Sequence, residues 1–170
     1  MKQGFVKVAS ATPRIRVADP VYNAQVICEQ AKEAAEHGAK IVVFPELCIT
    51  GYTCNDLFLQ ELLLEKAKEA LLTIAEETGQ LETLFLVGLP VDKDGRLYNV
   101  AAVLYRGRIL GMIPKKNIPM YAEFYEGRHF TPGEETVTEY RLGKQVIPFG
   151  SNLLFRCEEL PELILGCELC

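Results

Sequence analysis

Two amphipathic helical segments on either side of a short apolar strand constrain the fold of this chain most strongly. The first segment begins at 19-DP-20, where Asp19 can cap the helix and Pro20 suits its first turn, and Gly38 can end it. The second segment spans roughly 56–78. The apolar residues of both recur every three or four positions: Val21, Ala24, Cys28, Ala31 and Ala35, then Leu63, Ala67, Ala70 and Ile74. Between the helices, 40-KIVVFPE-46 is typical of a strand covered on both faces.

Further strand patterns complete an α/β arrangement. Segments 5–12 and 83–91 are predicted strands, so the first half reads β-α-β-α-β. In the second half, Asp94-Gly95 predicts a hairpin turn and 97–115 predicts two strands joined at Arg106-Gly107. A hairpin around Gly150-Ser151 is expected over 145–159, and a last strand over 162–170. The pattern favours one continuous domain over 1–170, a mixed sheet with two helices covering one face.

Composition excludes several classes of protein. The chain has 170 residues, 49% hydrophobic and 24% charged, with a formal net charge of −5, and its basic residues are scattered. Neither a nucleic-acid partner nor a membrane span is predicted from this distribution. The first residues have no apolar leader, so the six cysteines favour a reducing, cytoplasmic environment.

Two charged residues follow predicted strands directly. Glu46 comes after Pro45 at the end of a buried strand, where a desolvated carboxylate could serve as a base. The alternative is that Glu46 simply marks the solvent edge of the sheet. Lys115 also follows a strand and a proline, although a lysine pair such as Lys115-Lys116 usually marks solvated surface.

The loop that follows, 115–133, mixes aromatic and charged residues. This composition in a loop indicates the wall of a pocket rather than a core. The aromatic members are Tyr121, Phe124, Tyr125 and Phe130, and the charged members beside them are Glu123, Glu126 and Arg128.

Cys170 follows the last predicted strand, a position at which enzymes often display a nucleophile. With Cys167 it also has the C-x-x-C spacing of a metal or redox pair. The sequence has no second such pair, and His37 and His129 have no partner histidine at ligand spacing, so no metal site is predicted. No phosphate-binding glycine motif is present either.

These segments together resemble a known superfamily. Glu46 in FPEL, Lys115 in PKKNIP and Cys170 after an apolar run are similar in order and spacing to the Glu-Lys-Cys triad of the nitrilase, or carbon-nitrogen hydrolase, superfamily. The motif 126-EGRHFTPG-133 resembles its Glu-x-x-x-Phe-x-Pro-Gly, whose glutamate is a fourth catalytic residue. Segments 46–58 and 115–128 are most similar to the glutaminase domains of glutamine-dependent NAD synthetases, except that 117–119 reads Asn-Ile-Pro rather than aromatic-Leu-Pro.

The resemblance covers essentially the whole chain and implies a fold and a mechanism. The expected fold is the nitrilase-like α-β-β-α sandwich, of which this chain would be a partial domain that ends at its nucleophile and is inactive alone. The implied reaction is hydrolysis of L-glutamine through a thioester on Cys170, with Glu46 as base, Lys115 beside the thiol and Glu126 holding Lys115. Tyr52, Tyr121 and Phe124 are the implied substrate-binding residues.

The resemblance also implies partners outside this chain. No cofactor is expected here; ATP and deamido-NAD would bind the synthetase domain of the same polypeptide, and the assembly would be a homo-oligomer. Two alternatives stay open from the sequence. One is a stand-alone nitrilase-type amidase or carbamoyl hydrolase, and the other is a non-catalytic fragment or interaction module.

Overall fold

A computed structural model describes residues 4–122 and 124–169. Two residues singled out in the sequence, Glu123 and Cys170, therefore lie outside the described residues. The described elements are β1 Val8–Ser10, α1 Pro20–Glu36, β2 Ile41–Val43, a 3-10 segment Tyr52–Leu59, α2 Glu61–Glu77, β3 Leu84–Lys93, β4 Arg96–Tyr105, β5 Arg108–Pro114, a 3-10 turn Glu126–Arg128, β6 Thr138–Leu142, β7 Gln145–Phe149, β8 Leu154–Arg156 and β9 Ile164–Gly166.

Seven of the strands form one mixed sheet. Its order is β1-β2-β3-β4-β5-β7-β6, and β8 pairs with β9 in a separate two-stranded sheet. Strands β1, β2 and β3 are parallel, as the intervening helices require, whereas β3, β4 and β5 are antiparallel. The predicted turns between these antiparallel strands are confirmed, because Asp94-Gly95 and Arg106-Gly107 all have positive φ.

The predicted layers are present. Both helices pack on one face of the large sheet, where α1, α2 and the strands share a single apolar core. The first helix begins as predicted, with the Asp19 carboxylate accepting a hydrogen bond from the Tyr22 amide at 3.1 Å. On the opposite face, Phe155 of β8 and its neighbour Leu153 pack against Ala101, Val103 and Ile113 of β4 and β5. The chain thus contains the helix layer and sheet-on-sheet packing of the expected sandwich.

The predicted hairpin around Gly150-Ser151 is wrong. Strands β6 and β7, which a turn at Gly143 joins, pair with each other instead, and β8 pairs with β9. The sequence analysis did not identify β6. The physical reason is that β7 and β8 pack on opposite faces of the large sheet. Tyr140 and Ile147 belong to the helix-side core, whereas Phe155 packs on the other face, so the chain changes layers between β7 and β8.

Several element boundaries also differ from the sequence prediction. The second helix begins at Glu61 rather than near position 56, because residues 52–59 form a 3-10 segment interrupted at Asn55, whose φ is 51°. The strand predicted over 5–12 is confined to Val8–Ser10, and the one over 40–46 ends at Val43. Of the strand predicted over 162–170, the described residues up to 169 form a strand at Ile164–Gly166.

Among the described residues, no helix combines the length and the apolar content that crossing a bilayer would require.

Candidate active site

Glu46 lies in a tight turn directly beyond β2, pressed against the centre of β3. The amide of Ile49 donates to the carbonyl of Gly88 at 3.1 Å, and the turn closes with Gly51 donating to Leu47 at 2.7 Å. A Cβ on Gly88 would come within 2.4 Å of the Leu47 nitrogen and 2.7 Å of the Pro45 carbonyl oxygen. Only glycine therefore allows β3 to support the turn that presents Glu46.

Lys115 is fixed by its own backbone just after β5. Its amide donates to the carbonyl of Asn99 on β4 at 2.7 Å, and its carbonyl accepts from the amide of Gly133 at 2.7 Å. A Cβ on Gly133 would lie 2.7 Å from the Pro114 carbonyl oxygen, so the loop can approach this closely only with glycine there. The strand pairing continues one residue past Pro114, and the side chain of Lys115 points inward.

The Lys115 ammonium lies between two carboxylates. Its Nζ donates to Glu46 Oε1 at 2.7 Å and to Glu126 Oε1 at 2.8 Å. The side chain of Lys115 is 1% exposed, that of Glu126 5%, and that of Glu46 22%. Burial alone would lower the pKa of Lys115, but the hydrogen bonds to Glu126 and Glu46 outweigh it and hold that pKa above its usual value. The lysine is therefore a permanent cation at neutral pH.

Glu126 opens the 3-10 turn within the aromatic loop and is held by a tyrosine. The hydroxyl of Tyr52 donates to Glu126 Oε1 at 2.6 Å. Burial raises the pKa of Tyr52, and the hydrogen bond to Glu126 and the negative charges of Glu126 and Glu46 raise it further, so the phenol stays a hydrogen-bond donor. The Tyr52 hydroxyl and the ammonium of Lys115 share one carboxylate oxygen.

A second ion cluster fastens the aromatic loop to the 52–59 segment. Asp56 accepts from Arg128 at 3.0 Å and lies 3.0 Å from His129 Nε2, and the His129 ring lies edge-on to Phe58 and Phe130. The hydrogen bond with His129, with a contribution from the charge of Arg128, lowers the pKa of Asp56. These contacts hold the segment that carries Tyr52 against the loop that carries Glu126.

Asn99 belongs to the same cluster, although the sequence analysis missed it. Its side-chain nitrogen donates to Glu46 Oε1 and, at 3.4 Å, to Glu126 Oε2. The residue is wholly buried in the middle of β4. The available signal was an amide within the otherwise apolar stretch 97-LYNVAAVLY-105, since a buried asparagine is disfavoured in a central strand.

Six of the seven sequence-predicted site residues are described, and they fall into two groups. Glu46, Lys115 and Glu126 meet directly, and Tyr52 joins them through its hydroxyl. Tyr121 and Phe124 contact each other, with ring centroids 5.7 Å apart, in the loop before Glu126, and Tyr121 is 69% exposed.

Cys170 lies outside the described residues, but its neighbour is placed. Leu169 is buried against Ala101, Val103 and Ile113. Two positions along β4 from Ala101 is Asn99, and two beyond Ile113 is Lys115, so by strand alternation these side chains belong to the same face. The last described residue therefore packs on the face of the sheet that carries the charge cluster.

The described residues offer no metal centre at this cluster or elsewhere, since no group of three or more histidine, cysteine or acidic side chains is suitably placed. A cavity of about 500 Å³ is lined by Lys40, Arg106 and Phe155 among others, and its lining does not include Glu46, Lys115 or Glu126.

Comparison with known proteins identifies the class. The carbon-nitrogen hydrolase family matches residues 7–159, most of the chain. The chain therefore belongs to the carbon-nitrogen hydrolase family.

Individual proteins within this family are similar to the chain over nearly its whole length. The chain is 38% identical over 169 residues to the glutamine-dependent NAD(+) synthetases of Mycobacterium bovis and Mycobacterium tuberculosis, covering 99% of this chain and 25% of each relative. A crystal structure of a glutamine-dependent NAD(+) synthetase from Cytophaga hutchinsonii superposes with a TM-score of 0.84 at 28% identity, over 91% of this chain and 26% of that one. The chain thus spans about a quarter of the length of these relatives.

An amidase from Nesterenkonia sp. shares the fold alone. Its TM-score is 0.63 at 24% identity, over 84% of this chain and 54% of that one.

Proposed function

We propose that this chain is the glutaminase part of a glutamine-dependent NAD synthetase and that Glu46, Lys115, Glu126 and Cys170 carry out the amide hydrolysis. The observation that carries the proposal is the Lys115 ammonium held 2.7 Å and 2.8 Å from the two carboxylates. The choice of L-glutamine as substrate rests on the synthetases that are 38% identical to the chain over 99% of its length.

In the first half of the reaction, Glu46 takes the proton of the Cys170 thiol, and the sulfur attacks the carboxamide carbon of glutamine. A free cysteine has a pKa of about 8.5, so a neighbouring ammonium favours the thiolate. When the tetrahedral intermediate collapses, the carbon–nitrogen bond breaks, Glu46 gives its proton to the leaving nitrogen, and ammonia departs from a thioester.

In the second half, Glu46 removes a proton from water, which attacks the thioester carbon. The carbon–sulfur bond breaks, the thiol regains its proton, and glutamate leaves.

Lys115 stabilises the oxyanion of both tetrahedral intermediates. An ammonium has three N–H donors, and two are used by Glu46 and Glu126 among the described residues. The third remains for the oxyanion, and one such donor is typically worth about 3–4 kcal/mol. Glu126 and Tyr52 hold the amine in position.

The remaining expectations from the sequence join this proposal. Tyr52, Tyr121 and Phe124 would line the glutamine site. The ammonia would pass to a synthetase domain of the same polypeptide, which uses ATP and deamido-NAD, in a cytoplasmic homo-oligomer.

The test is a split between two nitrogen sources in the full-length polypeptide. Cys170→Ala is expected to abolish glutamine-dependent NAD synthesis and to leave ammonia-dependent synthesis largely intact. Equal loss of both activities would count against the proposal. Ammonia release from simple aliphatic amides, with none from L-glutamine, would favour a stand-alone amidase instead.

A further inference from the structure

We infer that Asn99 is a positioning residue that orients the carboxylate of Glu46 for proton transfer. The inference rests on the proposed function, because it concerns the same reaction. Asn99 is wholly buried, and its side-chain nitrogen lies within hydrogen-bond reach of both carboxylates of the cluster.

The chemistry of the neighbours fixes which end of the amide faces them. Ionised carboxylates only accept hydrogen bonds, so the NH₂ group of Asn99 and not its oxygen must face Glu46 and Glu126. Its two hydrogens match two acceptors, Glu46 Oε1 and Glu126 Oε2. Together with Lys115, which bonds Oε1 of both glutamates, the amide closes a ring of two donors and two acceptors.

This ring makes the two oxygens of Glu46 unequal. Oε1 accepts from both Lys115 and Asn99, whereas Oε2 accepts from no described residue. Glu46 is also the more exposed of the two glutamates, at 22% against 5%. Oε2 is therefore the oxygen that takes the proton from the thiol and from water, while Asn99 and Lys115 hold Oε1.

Burying the amide of Asn99 has a free-energy cost, which indicates that the site requires its N–H donors. Asn99 Oδ1 is buried and has no hydrogen-bond partner among the described residues. A leucine of similar size would fill the same space in this strand without burying an unpaired oxygen. The bonds that its nitrogen makes to the two carboxylates are what a leucine could not supply.

A buried threonine away from the cluster provides the control. Thr83 is 2% exposed, and its hydroxyl donates to the carbonyl of Ala39 at 2.8 Å. Thr83→Val removes a buried polar group without touching a carboxylate or the turn that presents Glu46. It separates a loss of fold stability from a loss of orientation at Glu46.

The experiment measures kcat and KM separately for ammonia release from L-glutamine by the full-length polypeptide. Asn99→Leu is expected to lower kcat about 100-fold and to leave KM little changed, because a misdirected Glu46 carboxylate impairs proton transfer rather than glutamine binding. Asn99→Ser, which keeps one hydroxyl donor and leaves room for water, is expected to lower kcat by less. Thr83→Val is expected to lower the melting temperature and keep the wild-type kcat.

Each outcome decides something. If Asn99→Leu does not fold, the kcat of Asn99→Ser decides the matter. A wild-type kcat in the folded Asn99 variants, a loss confined to KM, or an equal loss of kcat in Thr83→Val overturns the role of Asn99 and leaves the proposed function intact. A wild type that releases no ammonia from glutamine contradicts the proposed function itself, and this inference with it.

Discussion

Two adjacent lysines lie in opposite surroundings. Lys115 is 1% exposed and is bound by two carboxylates, whereas Lys116 is 51% exposed and pairs with Glu135, itself 61% exposed. The sequence alone does not distinguish them, but the backbone does. Lys115 continues the pairing with Asn99 on β4, so alternation turns its side chain inward and that of Lys116 outward.

The contrast between the two lysines shows which of the two charges stability alone does not explain. An exposed pair contributes little to stability, and a buried one must first offset the loss of hydration of every charge in it. A hydrophobic residue at position 115 would avoid that cost. Burial of an ammonium with two carboxylates is therefore better explained by chemistry at the cluster than by stability.

The largest effect is expected where the buried lysine is removed. Lys115→Met leaves two carboxylates facing each other without a cation, so we expect no measurable glutamine hydrolysis and an unfolding free energy lower by about 3–5 kcal/mol. Because the pKa of Lys115 is raised in the folded protein, the wild-type advantage is fully present below the usual lysine pKa of about 10.4. It declines as the pH rises through the raised pKa, which urea denaturation at several pH values would measure.

Lys116→Met is the matched control for that variant. Its partner is exposed, so both thermal stability and ammonia release should stay close to the wild type. Equal losses in the two lysine variants would remove the distinction between the buried and the exposed region.

A smaller effect is expected from the glycine that supports Glu46. In Gly88→Ala the added carbon would meet the Leu47 nitrogen at 2.4 Å, so the turn must move away from β3 and carry Glu46 from Lys115. A displacement of about 1 Å can cost roughly 100-fold in rate, and kcat with L-glutamine is the measurement. Gly166→Ala in β9 is the control, because its added carbon would make only ordinary contact, 3.5 Å from Leu154. Full activity in Gly88→Ala would show that the turn does not need this support.

The smallest effect is expected from the tyrosine. Tyr52→Phe removes one hydrogen bond to Glu126, which acts on the reaction only through Lys115, so kcat/KM should fall by only about tenfold. Since the pKa of Tyr52 is raised, the phenol stays protonated and the difference from wild type should be constant from neutral pH to about pH 10. Tyr125→Phe, at an exposed position of the same loop, should be silent. A difference that vanishes at mildly alkaline pH would contradict the donor role.

The elements that the sequence predicts leave a regular apolar spacing, and the elements that it does not predict leave no distinctive pattern. Periodicity located both helices and the first three strands because burial imposes a regular spacing on α1, α2 and the parallel strands. The change of layer after β7 has no such signature in the sequence, because strands that pack on either face of a sheet show similar alternation of apolar residues. The pairing of β6 with β7 was therefore missed.

The site shows the same division. Glu46, Lys115 and Glu126 could be identified because each stands beside a recognisable motif at a strand end or loop. Asn99 lies in mid-strand without a motif, and its role depends on two carboxylates that are 53 and 27 positions away in the chain. Only the fold brings these partners together.

The central proposal is that one sulfur atom, that of Cys170, is activated by this cluster. Four other thiols are less reactive, because burial raises the pKa of Cys28 to about 11 and that of Cys48 to about 12, and also raises the pKa of Cys54 and Cys167. The most direct measurement is peptide mass spectrometry of the full-length polypeptide after brief treatment with an electrophilic glutamine analogue. The account predicts a single adduct on Cys170 that is lost in Lys115→Met and retained in Lys116→Met. An adduct on another cysteine, or labelling of Cys170 that is indifferent to Lys115, would contradict it.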